Sequence, residues 1–270
     1  MPEVVVVEAV APWATWRSPE ALTYHRSLPL PPYTTMVGLL GAALGVGLAD
    51  AYRFVAEGGI RLGVGGWSEG QARDLWKFQK LKDKEVESDV LLREVWIDMR
   101  LAILIECQEK RTSRLVAAAL AAPSFPLTAG PSDALLKAVE VRSGPAEPVA
   151  TRSLAYTMVF REILPNYSLV GSLEDLPLHR SIRAPMIERL PTGFDFDSQG
   201  RRRLRGRAVV SFVGDPIDLD SSDHDVPGYR VDCRSQALRA SPTFTTWKEK
   251  ITWIVPVHRF DSPPMPVENS

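Results

Sequence analysis

Leu28-Pro-Leu-Pro-Pro-Tyr-Thr-Thr-Met-Val-Gly-Leu-Leu-Gly-Ala-Ala-Leu-Gly45 is the stretch on which the reading of this chain turns. Its prolines stiffen an approach that delivers Thr34 and Thr35 to the start of a helix, expected from Thr35 to about Val55. Met36, Leu39, Leu40, Ala43 and Leu44 recur at helical spacing and mark the core face. Gly38, Gly41 and Gly45 stay near one face, although each glycine costs a helix roughly 1 kcal/mol against alanine. Close approach by a neighbouring backbone, sheet or polymer is a physical reason to keep them. First-turn amides and two hydroxyls make the N-terminus a natural phosphate seat. The same residues also fit plain helix-on-sheet packing with a threonine cap.

Outward from this helix, Glu3–Val10 reads as a buried strand, followed by a long connection from Ala11 to Pro32. Ile60–Trp67 is a strand whose Gly63, Gly65 and Gly66 suggest a bulge or a close approach. Leu91–Cys107 is a strand in which Val95, Ile97, Met99, Leu101, Ile103 and Ile105 alternate. Ser68–Val90 lies between the two and is far too long for a hairpin turn. Its interleaved Trp76, Lys77, Phe78, Lys80 and Lys82 read as an extended arm leaving the body. Gln108–Ala122 is a helix stopped by Pro123; a turn at Phe125–Ser132, a short helix at Asp133–Leu136 and a strand near Val139–Arg142 follow.

Strand, helix, strand, strand, helix, strand is the order of an α+β, ferredoxin-like (RNA-recognition-motif) plait with an antiparallel sheet. The division expected is a plait over residues 1–142 with its arm at about 68–90, a linker at Ser143–Ala150, and a mainly β region over 151–270. That last region offers short strands at Ser153–Phe160, Arg207–Val213 and Ile251–Val257, then a flexible or partner-wrapped tail from Asp261.

Composition narrows the function classes. A chain of 270 residues, 45% hydrophobic, buries a real core as one large or two small domains. No apolar run approaches the ~20 residues of a membrane span, so a cytoplasmic protein without a membrane partner is expected. Cys107 and Cys233 stand far apart, outside any metal-type spacing, and read as buried thiols in a reducing compartment. A net charge of −1 argues against a generic salt-driven nucleic-acid binder. The charge is uneven, however: residues 73–84 hold five basic residues against two acidic ones, and residues 201–207 hold five arginines. Asp215–Asp225 answers with five aspartates, lacks the glycine of a calcium loop and reads as a solvated turn. No phosphate-binding loop, nucleophile elbow, zinc motif or clustered ligand set occurs, so neither cofactor nor metal is expected.

The N-terminal strand, the Leu28–Gly45 signature, the arm and the Phe125-Pro-Leu-Thr-Ala-Gly130 turn together resemble the CRISPR-associated fifth family (Cas-five) of the repeat-associated mysterious protein superfamily. The resemblance covers about residues 1–142. It implies a subunit of a type I CRISPR interference complex (Cascade), closer to the I-A/I-B side than to the catalytic I-C branch. Such a subunit holds the 5′ handle of the crRNA, caps the backbone filament, touches the large subunit and meets target DNA only through the complex. Mapped onto this chain, Thr34 and Thr35 suit a handle phosphate. Arg17, Tyr24, His25 and Arg26 suit a splayed base. Trp76, Lys77, Phe78 and Lys80 form the arm, and Arg111 with Arg114 share a helix face that tracks the backbone. Against this, Tyr24 and His25 also fit an ordinary surface loop, and Trp76 with Phe78 fit packing on a protein subunit. The Arg201–Arg207 run reads as a solvated loop entering a strand, with contact to RNA or DNA as its other reading.

Cleavage of precursor RNA needs a base, an acid and a cation for the phosphorane. The catalytic branch resembles a Tyr/Lys/His cluster with lysine beside histidine. None of His25, His179, His224 and His258 neighbours a lysine, so no catalytic residue is assigned. The alternative is a metal-independent endoribonuclease using Tyr24, His25 and an arm lysine.

Overall fold

The computed structural model describes residues 1–21, 24–82, 85–163, 167–169, 184–220, 225–240 and 253–259. In chain order the strands begin with β1 (Glu3–Ala14), β2 (Trp16–Arg17) and β3 (Ser27–Leu28). Helices α1 (Tyr33–Leu44) and α2 (Leu48–Glu57) follow, then β4 (Arg61–Trp67), β5 (Gly70–Lys82) and β6 (Glu85–Cys107). After α3 (Lys110–Ala121) come β7 (Lys137–Pro145), β8 (Val149–Thr151), β9 (Ser153–Leu154), β10 (Thr157–Val159) and β11 (Tyr167–Leu169). The remainder is β12 (Met186–Phe196), β13 (Arg202–Val213), β14 (Ile217–Leu219), β15 (Val226–Arg230), α4 (Gln236–Arg239), β16 (Ile254–Pro256) and β17 (His258–Arg259).

The protein is mixed α/β, dominated by antiparallel strands. Among the described residues the main sheet has nine strands in the order β12-β13-β10-β4-β6-β1-β7, with β17 also on β4 and β5 also on β6. Strand periodicity explains its two faces. Odd residues of β1 and β6, such as Val5, Val7, Leu101 and Ile103, are buried with Met36, Leu40, Val116 and Leu120 of α1 and α3. Even residues, Val4, Ala102 and Leu104, pack against Tyr229, Val231, Trp253 and Val255. Gly63 and Gly65 lie on that second face. A Cβ on Gly63 would stand 2.1 Å from the Pro256 carbonyl, and one on Gly65 2.3 Å from the Trp253 ring. The strand glycines therefore serve close approach.

Several expectations are corrected. The single helix over 35–55 is two, bent by 103°, because Gly45 takes a left-handed φ of 74° and caps α1. Gly38 faces open space, and Gly41 admits Ala51 of α2, whose Cβ would be 2.9 Å away. The Ala11–Pro32 connection contains the end of β1 and the β2–β3 ladder. Residues 133–136 are not helical: Thr128 bridges Leu135, and Ala129 N–H donates to the Ala134 carbonyl at 2.7 Å. The segment expected as a linker is strand through Pro145, paired with Glu3–Val5, and strands from both sides of it join the main sheet. Arg201–Arg207 is no loop; it enters a long β12–β13 hairpin. Asp215 is buried, and Asp218 accepts from the Ser153 hydroxyl, so the acidic run is only partly solvated. Residues 221–224 and the tail from Asp261 lie outside the described residues, as do His179 and His224.

Cys107 and Cys233 are both buried, and burial pushes the Cys107 thiol up to about 12. Among the described residues no single helix is long and apolar enough to cross a membrane.

Candidate nucleic-acid interface

Strand direction gathers most of the predicted residues at one end of the sheet. β1 runs from Glu3 opposite Cys107 to Ala14 opposite Trp96, so its end reaches the part of β6 that continues into the arm. The loop after β1 therefore reaches the end where β5 and β6 leave the body, whereas the start of α1 lies against Phe160, which the Tyr33 ring meets edge-on at 5.7 Å. The arm is a β-hairpin: β5 pairs with β6 from Gly70↔Ile97 to Lys82↔Glu85. On the far side of β6, His25 N–H donates to the Leu92 carbonyl at 2.9 Å and Glu94 N–H donates to the His25 carbonyl at 2.8 Å. The predicted base-reading loop is thus stitched to the root of the arm.

Alternation along β5 puts Asp74, Trp76, Phe78 and Lys80 on one face of the hairpin. Trp76 and Phe78 stack at 5.3 Å with an interplanar angle of 26°, and the His25 ring lies 5.5 Å from Trp76. The Arg93 guanidinium lies 4.7 Å from the Trp13 ring and 5.5 Å from Trp76, and donates to Asp74 at 2.6 Å. These groups form one row: Trp13, Arg93, Trp76 with His25 beside it, then Phe78. Burial, then the Arg17 and Arg93 charges, lower the His25 pKa. At neutral pH His25 is an uncharged ring, suited to stacking.

Other predicted residues are held by neighbours. Tyr24 donates its hydroxyl to Glu94, and burial together with that carboxylate raises its pKa. Arg26 pairs with Glu188 of β12 while 45% of its side chain stays exposed. Arg17 donates from Nε and Nη2 to the Ala21 carbonyl at 3.3 and 3.0 Å. Lys80 pairs with Asp89 across the hairpin at 2.7 Å. Thr34 and Thr35 are half-buried at the start of α1, which neither side chain caps. Thr35 and Met36 N–H both donate to the Pro32 carbonyl, leaving Thr34 N–H as an amide without a helical acceptor.

Lys77, Arg111 and Arg114 also stand apart from this cluster. Lys77 lies on the opposite face of the hairpin, with Leu75, Leu81, Val86 and Val90. All four apolar side chains are exposed, Leu81 to 76%. Arg111 and Arg114 are exposed on the first turns of α3, which follows Cys107 at the other end of β6. A groove of about 640 Å³ at the arm's root carries Glu69, Glu94 and Asp215 against Arg26, a poor balance for phosphate.

Sequence reading missed Trp13, Arg93, Glu94 and Glu188. Only Arg93 carried a signal: it breaks the apolar series of odd positions in β6.

These elements define an antiparallel α+β protein with an aromatic, cation-bearing ribbon at one sheet end. No curated protein sequence matches the chain. Among solved structures it is similar to a "CRISPR RNA-guided surveillance complex" chain, at 16% identity over 91% of this chain and 99% of that one, TM-score 0.48. A CRISPR protein from Archaeoglobus fulgidus is similar at 10% identity over 95% and 99%, TM-score 0.43. A chain titled "Crystal structure of Cas protein" is 22% identical over 48% of this chain and 57% of that one, TM-score 0.33. The model of the CRISPR-associated protein (Cas_Cas5) family matches residues 4–192, and the chain belongs to that family.

Proposed function

We propose that this chain is a non-catalytic, RNA-binding subunit of a type I CRISPR interference complex, nearest the I-A/I-B kind, that holds the 5′ handle of the crRNA. The observation that carries the reading is the meeting of the Tyr24–Arg26 loop, through His25, with the Trp76–Phe78 stack at the root of the arm. A splayed base stacks on that aromatic row, and each such stack contributes about 1–3 kcal/mol. Thr34 N–H and the two threonine hydroxyls receive a phosphate. The strand order β7-β1-β6-β4, all antiparallel with α1 and α3 on one face, supports a ferredoxin-like plait beneath the site. The exposed Leu75, Leu81, Val86 and Val90 face suits a protein neighbour, the backbone or large subunit of the complex. Target DNA is reached through the complex, the setting is cytoplasmic, and no cofactor enters this role.

The endoribonuclease reading draws on Tyr24 and His25 lying at the same end. The geometry favours it less: the Tyr24 phenol is committed to Glu94, the His25 ring lies tilted against Trp76, Lys80 pairs with Asp89 and Lys77 faces away. His258 is no substitute, because burial lowers it to about 4.

The test is co-purification from cells carrying a CRISPR array and the partner subunits. T34A/T35A/W76A should fold, enter the complex poorly and lose crRNA. Wild-type crRNA retention by that variant would reject the mapping. Incubation with repeat RNA in the absence of metal separates the second reading: site-specific cleavage that disappears in H25A would make the protein an enzyme.

A further inference from the structure

Arg201-Arg-Arg-Leu-Arg-Gly-Arg207 forms the outer part of the β12–β13 hairpin. Phe194 and Phe196 of β12 turn inward and meet the Tyr52 ring of α2 at 6.1 and 5.8 Å. Asp195, between these two rings and opposite Arg203, turns outward; beyond the register shifts at Pro191–Phe194, Arg189 is exposed between buried Glu188 and Leu190 and shares the outward face with Arg207, opposite Pro191. Arg189, Arg203 and Arg207 are exposed, and none enters an ion pair among the described residues. Arg201 and Arg205 are held by Asp197 and Asp195 at 2.8 and 2.7 Å. One outward face thus presents a row of guanidinium groups spaced along a stiff two-stranded ribbon.

The ribbon and the arm leave the sheet in opposite directions. Val213 aligns through Thr157 with Gly65, and β13 runs parallel to β4, so its arginine-rich start lies beyond the Arg61 end. The arm lies beyond the Trp67 end.

We infer that the outward face of β12–β13 is a second nucleic-acid contact, which grips a phosphodiester backbone through Arg189, Arg203 and Arg207. Guanidinium forks match phosphate oxygens in pairs. Arg203 and Arg207 lie roughly 13 Å apart along a strand rising about 3.3 Å per residue, a spacing that follows a polymer rather than a single anion. A two-stranded ribbon also fits the major groove of a duplex. The inference stands without the handle reading, because it involves no residue of the arm.

The test titrates the full chain against single-stranded RNA, single-stranded DNA and duplex DNA, all lacking the repeat sequence, over a range of salt. In R189A/R203A/R207A the slope of log affinity against log salt should flatten by about 2 on a single strand, or up to about 2.7 on a duplex. The polymer with the larger change identifies the source of the backbone. R189K/R203K/R207K should keep most of the slope. A matching melting temperature establishes folding; R203E alone, on an exposed side chain, serves if the triple variant is unstable. Unchanged slopes on all three polymers would overturn the inference. So would equal wild-type affinity for polyglutamate, which would make the ribbon a site for acidic protein.

Discussion

The Arg93 guanidinium carbon lies 5.5 Å from the centroid of the Trp76 ring, with Trp13 at 4.7 Å. Arg93 is only 6% exposed, and Asp74 supplies its counter-charge. A desolvated cation–π contact contributes up to about 2 kcal/mol, and here it ties the root of the arm to the end of β1. R93M should therefore lower stability by about 1–2 kcal/mol in urea denaturation. It should also weaken RNA retention without touching a phosphate, because Trp76 loses its support. R93K should recover the charge but only part of the stability, since an ammonium lacks the planar stacking face.

The two faces of the arm predict contrasting phenotypes for adjacent residues. W76A should cost RNA binding about 1–3 kcal/mol, or roughly 5- to 150-fold, with little loss of salt dependence. K77A, on the opposite face, should leave base stacking intact and change affinity less than threefold. Filter binding of handle RNA to both variants checks this. Equal losses would place the RNA across both faces.

Gly65 and Gly38 make a pair of opposite sign. G65V drives side-chain atoms into the Trp253 ring and towards the Tyr156 carbonyl, 2.9 Å from the Cβ position. Such overpacking costs about 1–3 kcal/mol. G38A meets nothing within 4 Å in the middle of α1, and should stabilise by up to about 1 kcal/mol through helix propensity. Thermal melts of the two variants should therefore move in opposite directions.

The central strands and the arm were legible because their signals are local. Alternation from Val95 to Ile105 is enough to define β6, and the length of Ser68–Val90 with its aromatic–basic interleaving is enough to define an arm. The β12–β13 hairpin was hidden by its own chemistry. Pro191 and Gly193 interrupt β12 at register shifts, and four arginines replace apolar alternation at the start of β13. The break after α1 turns on Gly45, a glycine that close approach accounts for equally well in the sequence and that its left-handed φ of 74° assigns to a helix cap. Site partners such as Trp13 and Glu188 were out of reach because they depend on register between distant segments: Glu188 meets Ser18 and Arg26 only once β12 packs beside the loop after β1.

Glu8 gives the fold a defined acid limit. It is fully buried on the second face of the sheet, pairs with Arg142 and accepts N–H bonds from Arg234 and Ser235, both at 2.8 Å. Burial alone would raise its pKa, but those donors outweigh burial and hold it below the ordinary value of 4.5. A carboxylate depressed in the folded state contributes stability that is fully present above the unfolded pKa, about 4.3. That contribution is lost as pH falls through the lower, folded value. Wild-type stability should therefore decline below about pH 4.5, with the C-terminal layer around Arg234 loosening as Glu8 protonates. E8Q should lower stability at pH 7 by about 2–3 kcal/mol, since hydrogen bonds to a charged acceptor are exchanged for weaker ones. It should also flatten the acid limb of the profile. Urea midpoints of both proteins between pH 3 and 7 check the sign, and an acid limb of the same steepness in E8Q would assign the proton uptake to other carboxylates.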